Sequence, residues 1–171
     1  MAADTKERIL DTAERLFADH GFPATSLRDI TQEAGVNLAA VNYHFGGKEG
    51  LLIEVLERKI APVNETRLAQ LDELETAAGS DAVPTEHLVR AFVTPLCEKG
   101  GKQDPGVPKF MKLVGRIHAE VDQDLRAKFI KQFDTVLHRF SSAFHRGLPH
   151  LDAAEVRWRG LFLVGSMGHT M

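Results

Sequence analysis

Residues 37–48 hold side chains suited to reading base-pair edges in a duplex. Asn42 can pair with adenine, and the methyls of Ala39 and Ala40 can touch those of thymine. The two alanines are also small enough to let the backbone approach. Tyr43 and His44 can donate to phosphate oxygens. A helix over 38–44 would gather these groups, and its N-terminal dipole would itself favour phosphate. A second helix start lies just upstream, at Thr25 and Ser26, with Arg28 in its first turn. The chemistry these types suit is non-covalent recognition, not bond-making.

Other chemistries find less support. A di-iron bundle needs Glu-x-x-His pairs at helical spacing, and the 8 His are instead dispersed. His138 and His145 share a face but lack a carboxylate one turn away, and zinc would need closer ligands. No Gly-rich phosphate loop, nucleophile elbow or Cys–His pair occurs. The chain is therefore read as no enzyme, with no metal and no cofactor.

Composition sets the outer bounds. A chain of 171 residues with 43% hydrophobic and 26% charged residues is an ordinary globular protein, of one domain or a medium domain carrying a small one. Its lone Cys97 excludes an intramolecular disulfide framework and fits a reducing cytosol, so a cytoplasmic location is expected. No apolar run approaches the roughly 18 residues of a membrane span, and no signal peptide opens the chain. The formal net charge of −3 argues against a basic nucleic-acid binder. Splitting the charge by position sharpens the conflict. Residues 1–60 carry 7 Lys+Arg against 10 Asp+Glu, yet residues 34–48 contain no acid at all.

The elements that must position these groups are helices. Residues 6–20 place Ile9, Leu10, Ala13, Leu16 and Phe17 on one face, and Gly21 and Pro23 end the run. Ser26 caps a short helix over 27–34, and Gly35 closes it. Asn37 caps a third over 38–44, stopped by Gly46-Gly47. Lys48 and Glu49 open a long helix that Pro62 kinks or divides. Further helices are expected near 85–96, 108–120 and 122–147, and the last runs from 152 to the final Met171. The apolar pattern is unbroken there, so a further segment is expected to follow. No alternating strand pattern appears, and the fold class is all-α. A Gly-containing turn between the second and third helices gives helix-turn-helix geometry, which can lay the second of the pair in a major groove.

Residues 6–52 resemble the DNA-binding domain of the TetR family of regulators. The resemblance runs through Arg8-Ile9-Leu10-Asp11-Thr12-Ala13, Leu16-Phe17, Gly21-Phe22, Thr25-Ser26-Leu27-Arg28-Asp29-Ile30 and Ala34-Gly35-Val36-Asn37. It continues through Tyr43-His44-Phe45-Gly46-Gly47-Lys48-Glu49-Gly50-Leu51-Leu52, covering 47 of 171 residues. It implies that Thr25, Ser26, Arg28, Asn37, Ala39, Tyr43, His44 and Lys48 meet DNA, with Ala40 and Asn42 added by their own chemistry. Asn42 stands where the family carries an aromatic residue. The competing reading of His44 is a satisfied interface histidine, and of Arg28 a solvated surface charge.

The same resemblance implies a helix-turn-helix domain over 1–50 and a helical regulatory and dimerisation domain over 51–171, incomplete at its C-terminus. Phe129, Phe133, Phe140 and Phe144 fall on one side of what reads as a single long helix. Phe110-Met111-Lys112-Leu113 with Arg116, the stretch Glu155 to Trp158, and residues 36–45 are similar to regulators that respond to fatty acids or acyl-CoA esters. Candidate ligand residues are accordingly Phe110, Met111, Val114, Arg116, Phe129, Phe133 and Phe140. Plain core explains the aromatic stripe, and an ordinary exposed charge explains Arg116. Val156, Leu161, Phe162, Val164 and Gly165 are assigned to a dimer interface, though a buried core helix gives the same pattern. The expected partners are double-stranded DNA with a pseudo-palindromic operator, a second copy of the chain, and a small apolar effector, with no membrane. The function expected is a ligand-responsive repressor released from DNA by that effector; the alternative is a helical protein–protein interaction module, supported by the acidic first third.

Overall fold

The computed structural model describes residues 2–99 and 123–170, and all regular structure among them is α-helical. In chain order the helices are α1 (Ala2–His20), α2 (Leu27–Ala34), α3 (Leu38–Phe45), α4 (Lys48–Ala78), α5 (Thr85–Lys99), α6 (Gln123–Lys131), α7 (Asp134–Gly147) and α8 (Ala153–Thr170). They sort into two compact units. One gathers α1, α2, α3, α4 as far as Ile60, and α6; the other gathers α4 from Ala61 with α5, α7 and α8.

In the first unit, α1 buries Ile9, Leu10, Ala13 and Phe17, as the sequence spacing predicts. These face Ile30 of α2 and Val41 and Phe45 of α3, all buried. Leu51, Leu52, Val55 and Leu56 bring the first turns of α4 into the same core. Burying such side chains stabilises by about 1.5–3 kcal/mol each. Burial holds the helices together without fixing their register, and ion pairs supply that. Arg58 on α4 donates to Asp11 Oδ1 at 2.8 Å, Glu14 Oε2 at 2.7 Å and Glu7 Oε2 at 3.1 Å, all on α1. Lys59 meets Glu14 at 2.9 Å and Lys6 meets Glu54 at 2.5 Å. Burial works against the Arg58 charge, and hydrogen bonds to Glu14 and Asp11 outweigh it, holding its pKa above the ordinary value.

Pro62 lies inside α4, which runs through it unbroken. One turn later the Thr66 hydroxyl donates to the Pro62 carbonyl at 2.9 Å. In the second unit, α7 is tied to this part of α4 by Arg139, which donates to Asp72 at 2.6 Å and Glu75 at 2.8 Å, and by Arg146 to Glu75. Phe140 of α7 meets Phe92 of α5 edge-on, with ring centroids 5.1 Å apart. Arg67 is buried on α4, with its guanidinium 4.2 Å from the Phe92 ring centroid and Nε donating to the Phe92 carbonyl at 2.8 Å.

One expectation fails here. The run read as a single helix over 122–147 breaks at Gln132–Phe133, a turn between α6 and α7. No Pro or Gly marks the break, and the aromatic spacing continues across it. Phe129 is buried in the first unit and Phe140 in the second, so the two halves serve different cores. The stripe is two stripes.

Replacing Arg58 by Met keeps the aliphatic stem and removes the donors. Its side chain is 25% exposed, so part of the interaction is screened. Urea denaturation should show a loss of about 1–2 kcal/mol at low salt that shrinks as salt is added. A loss unaffected by salt would assign Arg58 to packing instead.

Candidate nucleic-acid interface

The turn that sets α2 against α3 is built locally. Ser26 stands at the N-cap of α2 in extended backbone and its hydroxyl accepts from Asp29 N at 3.1 Å. Asp29 reciprocates, accepting from Ser26 N at 2.9 Å and from the Ser26 hydroxyl at 2.6 Å. The Ser26 hydroxyl, aided by its N–H, holds the Asp29 carboxyl below the usual carboxylate pKa. At the other end Gly35 adopts φ 63°, ψ 40°, a left-handed conformation that glycine takes without a Cβ penalty. Val36 N then donates to Thr31 O at 3.0 Å. Asn37 caps α3 by accepting from Ala40 N at 2.9 Å. Gly46, at φ 71°, ends it by donating to Asn42 O at 3.0 Å. Beyond the turn Gly50 lies so close to the Phe45 carbonyl that a Cβ there would collide with it.

Because Val41 and Phe45 point into the core, the helical period turns Leu38, Ala39, Asn42 and Tyr43 outward. Tyr43 is 86% exposed, its ring edge-on to His44 at 5.0 Å. His44 is half-buried between Tyr43 and Phe45, and Ala40 is half-buried beside it. The outward face is neutral and free of acids.

The acids of the first third are engaged elsewhere. Glu7, Asp11 and Glu14 go to Arg58, Glu54 to Lys6, and Asp4 to Arg8. Asp19 and Glu33 go to Arg15, Glu49 to Lys128, and Asp29 to the Ser26 cap. Among the described residues, Glu57 alone of these ten has no ion pair or hydrogen bond through its side chain. Of the seven Lys and Arg in residues 1–60, Arg28 and Lys48 are the two outside any ion pair among the described residues. Arg28 is exposed in the first turn of α2. Lys48 opens α4 with Nζ 4.3 Å from the Phe22 ring centroid and 3.4 Å from the Pro23 carbonyl, and burial lowers its pKa. A cation at a helix N-terminus gains nothing from the dipole. An external anion would suit it better.

The structure thus gathers Ser26, Arg28, Asn37, Ala39, Asn42, Tyr43 and Lys48 on exposed or half-exposed ground around α2 and α3. Thr25 departs from expectation. It is 2% exposed, and its hydroxyl donates to Gly21 O at 2.8 Å and Leu16 O at 3.2 Å, fastening the loop to the end of α1. Its side chain has no path to a duplex.

The other candidates scatter. Phe110, Met111, Val114 and Arg116 lie outside the described residues. Phe129 and Phe140 are core, while Phe133 is half-buried at the turn before α7. Val156 is buried and Phe162 is 74% exposed; the side chains of Leu161, Val164 and Gly165 lie outside the description. Trp158, one turn before Phe162, is 62% exposed; the sequence reading used it only as the end of the stretch Glu155 to Trp158. Sequence reasoning also missed Arg58 and Gly50, whose partners are distant in sequence or backbone atoms. Among the described residues no helix is long and apolar enough to cross a membrane, and no group of three metal-ligating side chains forms.

Comparison with known proteins places the arrangement. Residues 9–55 match the family described as bacterial regulatory proteins, tetR family, and residues 90–171 match the tetracyclin repressor-like C-terminal domain. The chain belongs to the tetR family. It shares 39% identity over 67 residues with the HTH-type transcriptional regulator AcrR of Shigella flexneri, covering 39% of this chain and 31% of AcrR. The chain therefore spans about a third of that relative's length. The fold agrees with FadR, the fatty acid degradation regulator of Bacillus halodurans, at TM-score 0.72 and 19% identity over 96% of this chain and 81% of that one. It agrees equally with FadR of Bacillus subtilis in complex with stearoyl-CoA, at TM-score 0.71 and 18% identity over 96% and 83%.

The cap at Ser26 carries a test of the α2 geometry. Ser26→Ala should cost about 1 kcal/mol near neutral pH. A carboxylate with a lowered folded pKa stabilises fully above its unfolded value of about 4 and loses that contribution as pH falls through the folded value. The gap between wild type and Ser26→Ala should accordingly narrow on acidification, read from thermal melts across that range. A gap constant down to the acid transition would break the link to Asp29.

Proposed function

We propose that this tetR-family regulator binds operator DNA as a homodimer through α3, and acts as a repressor that a small apolar effector releases. The observation that carries the reading is the acid-free outward face of α3, flanked by the two cations of the first 60 residues that no carboxylate among the described residues holds. Asn42 reads adenine, Ala39 and Ala40 meet thymine methyls, and Tyr43, His44, Arg28 and Lys48 hold phosphates. Ser26 and Asn37 contribute from the helix N-termini, where the dipole favours phosphate. One short helix reads few base pairs, so two copies on half-sites one helical turn apart, about 34 Å, supply the specificity. A cytoplasmic location follows from an operator as partner.

The effector we infer is a long acyl chain with an anionic head, a fatty acid or acyl-CoA. Support comes from the FadR fold, which in Bacillus subtilis holds stearoyl-CoA, and from Phe92 and Phe140, aromatic rings without hydroxyls in the second unit. Phe110, Met111, Val114, Arg116, Phe129 and Phe133 remain candidates for its contacts, and Val156, Leu161, Phe162, Val164 and Gly165 for the dimer face. Release requires the effector to prefer a state with weaker DNA affinity, and coupling of about 1–3 kcal/mol is usual for such switches.

Two substitutions separate reading from holding. Asn42→Ala should relax base preference at one position per half-site, removing about 1–3 kcal/mol of discrimination. Lys48→Ala should weaken all duplexes alike and flatten the salt slope by about one unit per phosphate lost. Binding to duplexes selected from a random pool, measured by gel shift over a salt series, checks both. Equal, uniform losses from the two variants would defeat the assignment, and no binding by the wild-type dimer even at low salt would defeat the function. Native mass spectrometry of freshly purified protein should show a co-purified acyl species; stearoyl-CoA that leaves DNA affinity unchanged would remove that effector class.

A further inference from the structure

We propose that Arg8 is a positioning residue for base reading, which locks the α2–α3 turn and through it the pose of α3. The inference rests on α3 being the reading helix. By sequence, a cation on the surface of α1 reads equally as a phosphate contact or as a helix-surface charge. The structure instead lays its guanidinium, on a side chain 47% exposed, against the α2–α3 turn. Arg8 Nη2 donates to the carbonyl of Ala34, the last residue of α2, and to that of Gly35 at 3.1 Å, residues 26 and 27 positions away.

The end of a helix leaves carbonyls without partners, and each needs one from outside the ladder. The α2 terminus satisfies those of Thr31 and Gln32 within itself: Val36 N donates to Thr31 O, and Gly35 N reaches Gln32 O. Ala34 O and Gly35 O are the carbonyls of the turn itself, and Arg8 takes both. A guanidinium suits this place for two reasons. The two N–H groups of Nη2 can each serve one of two neighbouring carbonyls, and the charge meets the negative end of the α2 dipole. Asp4, one turn back on α1, lies 3.8 Å from Arg8 and steadies it.

The consequence falls on α3. Gly35 holds the left-handed conformation that turns the chain, and a Cβ there would come within 3.3 Å of Arg8 Nη2. Asn37, two residues on, begins α3. Arg8 thus ties α1 to the pivot about which α3 is aimed. With the donors removed, the turn gains freedom, the helix remains, and the aim of Asn42 loosens. That predicts loss of discrimination without loss of a phosphate contact.

Arg8→Met keeps the stem and removes the donors; Arg8→Lys restores one donor and the charge. Both are compared with wild type well below their melting temperatures, where circular dichroism shows full helicity. Amide hydrogen exchange at Gly35 and Val36 should quicken in Arg8→Met by about tenfold, the scale of one charge-assisted hydrogen bond. Affinity for a duplex selected by the wild-type protein should fall by a similar factor, while affinity for a scrambled duplex and the salt slope stay the same. Arg8→Lys should recover part of both effects.

Equal losses on both duplexes with the salt slope flatter by about one unit would make Arg8 a phosphate contact and overturn the proposal. A lower melting temperature with unchanged exchange and unchanged discrimination would make it a plain stabiliser, overturning it equally. Wild-type protein that binds no duplex would instead overturn the operator reading. In that case the exchange measurement alone decides whether Arg8 locks the turn.

Discussion

Arg58 meets three carboxylates of α1 at once, and the first unit depends on that convergence. Glu7, Asp11 and Glu14 occupy successive turns of one face of α1, which without a cation beside it would repel itself. With Arg58 and Lys59 on α4 facing them, the same charges fix how α1 lies along α4. The apolar residues behind them, Ile9, Ala13 and Phe17, then meet Ile30, Val41 and Phe45 in one register. Exposed pairs of this kind contribute little singly. Here the half-buried Arg58 serves three partners, and its value lies in orientation as much as in energy.

The same pairing resolves the conflict posed by net charge. A formal charge of −3, with the excess acid in the first 60 residues, reads as hostile to DNA. Charge acts over a Debye length of about 8–10 Å, so what matters is where each acid points and what neutralises it. Nine of the ten are engaged with Arg58, Lys6, Arg8, Arg15, Lys128 or the Ser26 cap. Among the described residues, Arg28 and Lys48 are left over on the side of α2 and α3. The total was the wrong scale at which to judge the surface.

Legibility follows the range of the interactions. The caps at Ser26 and Asn37, the left-handed Gly35 and the outward face of α3 come from contacts within four residues, and the sequence pattern exposes them directly. Residues 44 to 51 positions apart make the Arg58 network, and nothing in spacing announces it. Thr25 misleads for a related reason. A threonine before a helix resembles a surface cap, but its hydroxyl turns back to Gly21 and Leu16. The break at Gln132–Phe133 is hidden because the aromatic period continues across it, while the two sides bury into separate cores.

The central claim is that a few unpaired cations, set in a neutral face, carry the electrostatic part of DNA binding. Counterion release measures this directly, since each phosphate neutralised adds about 0.9 to the steepness of log affinity against log salt. Fluorescence anisotropy of the wild-type protein on a selected duplex should give a slope of about −4, from Arg28 and Lys48 on each copy of the proposed homodimer. A slope of twice that steepness would mean that the paired cations of α1 and α4 leave their carboxylates for DNA. That result would contradict the account.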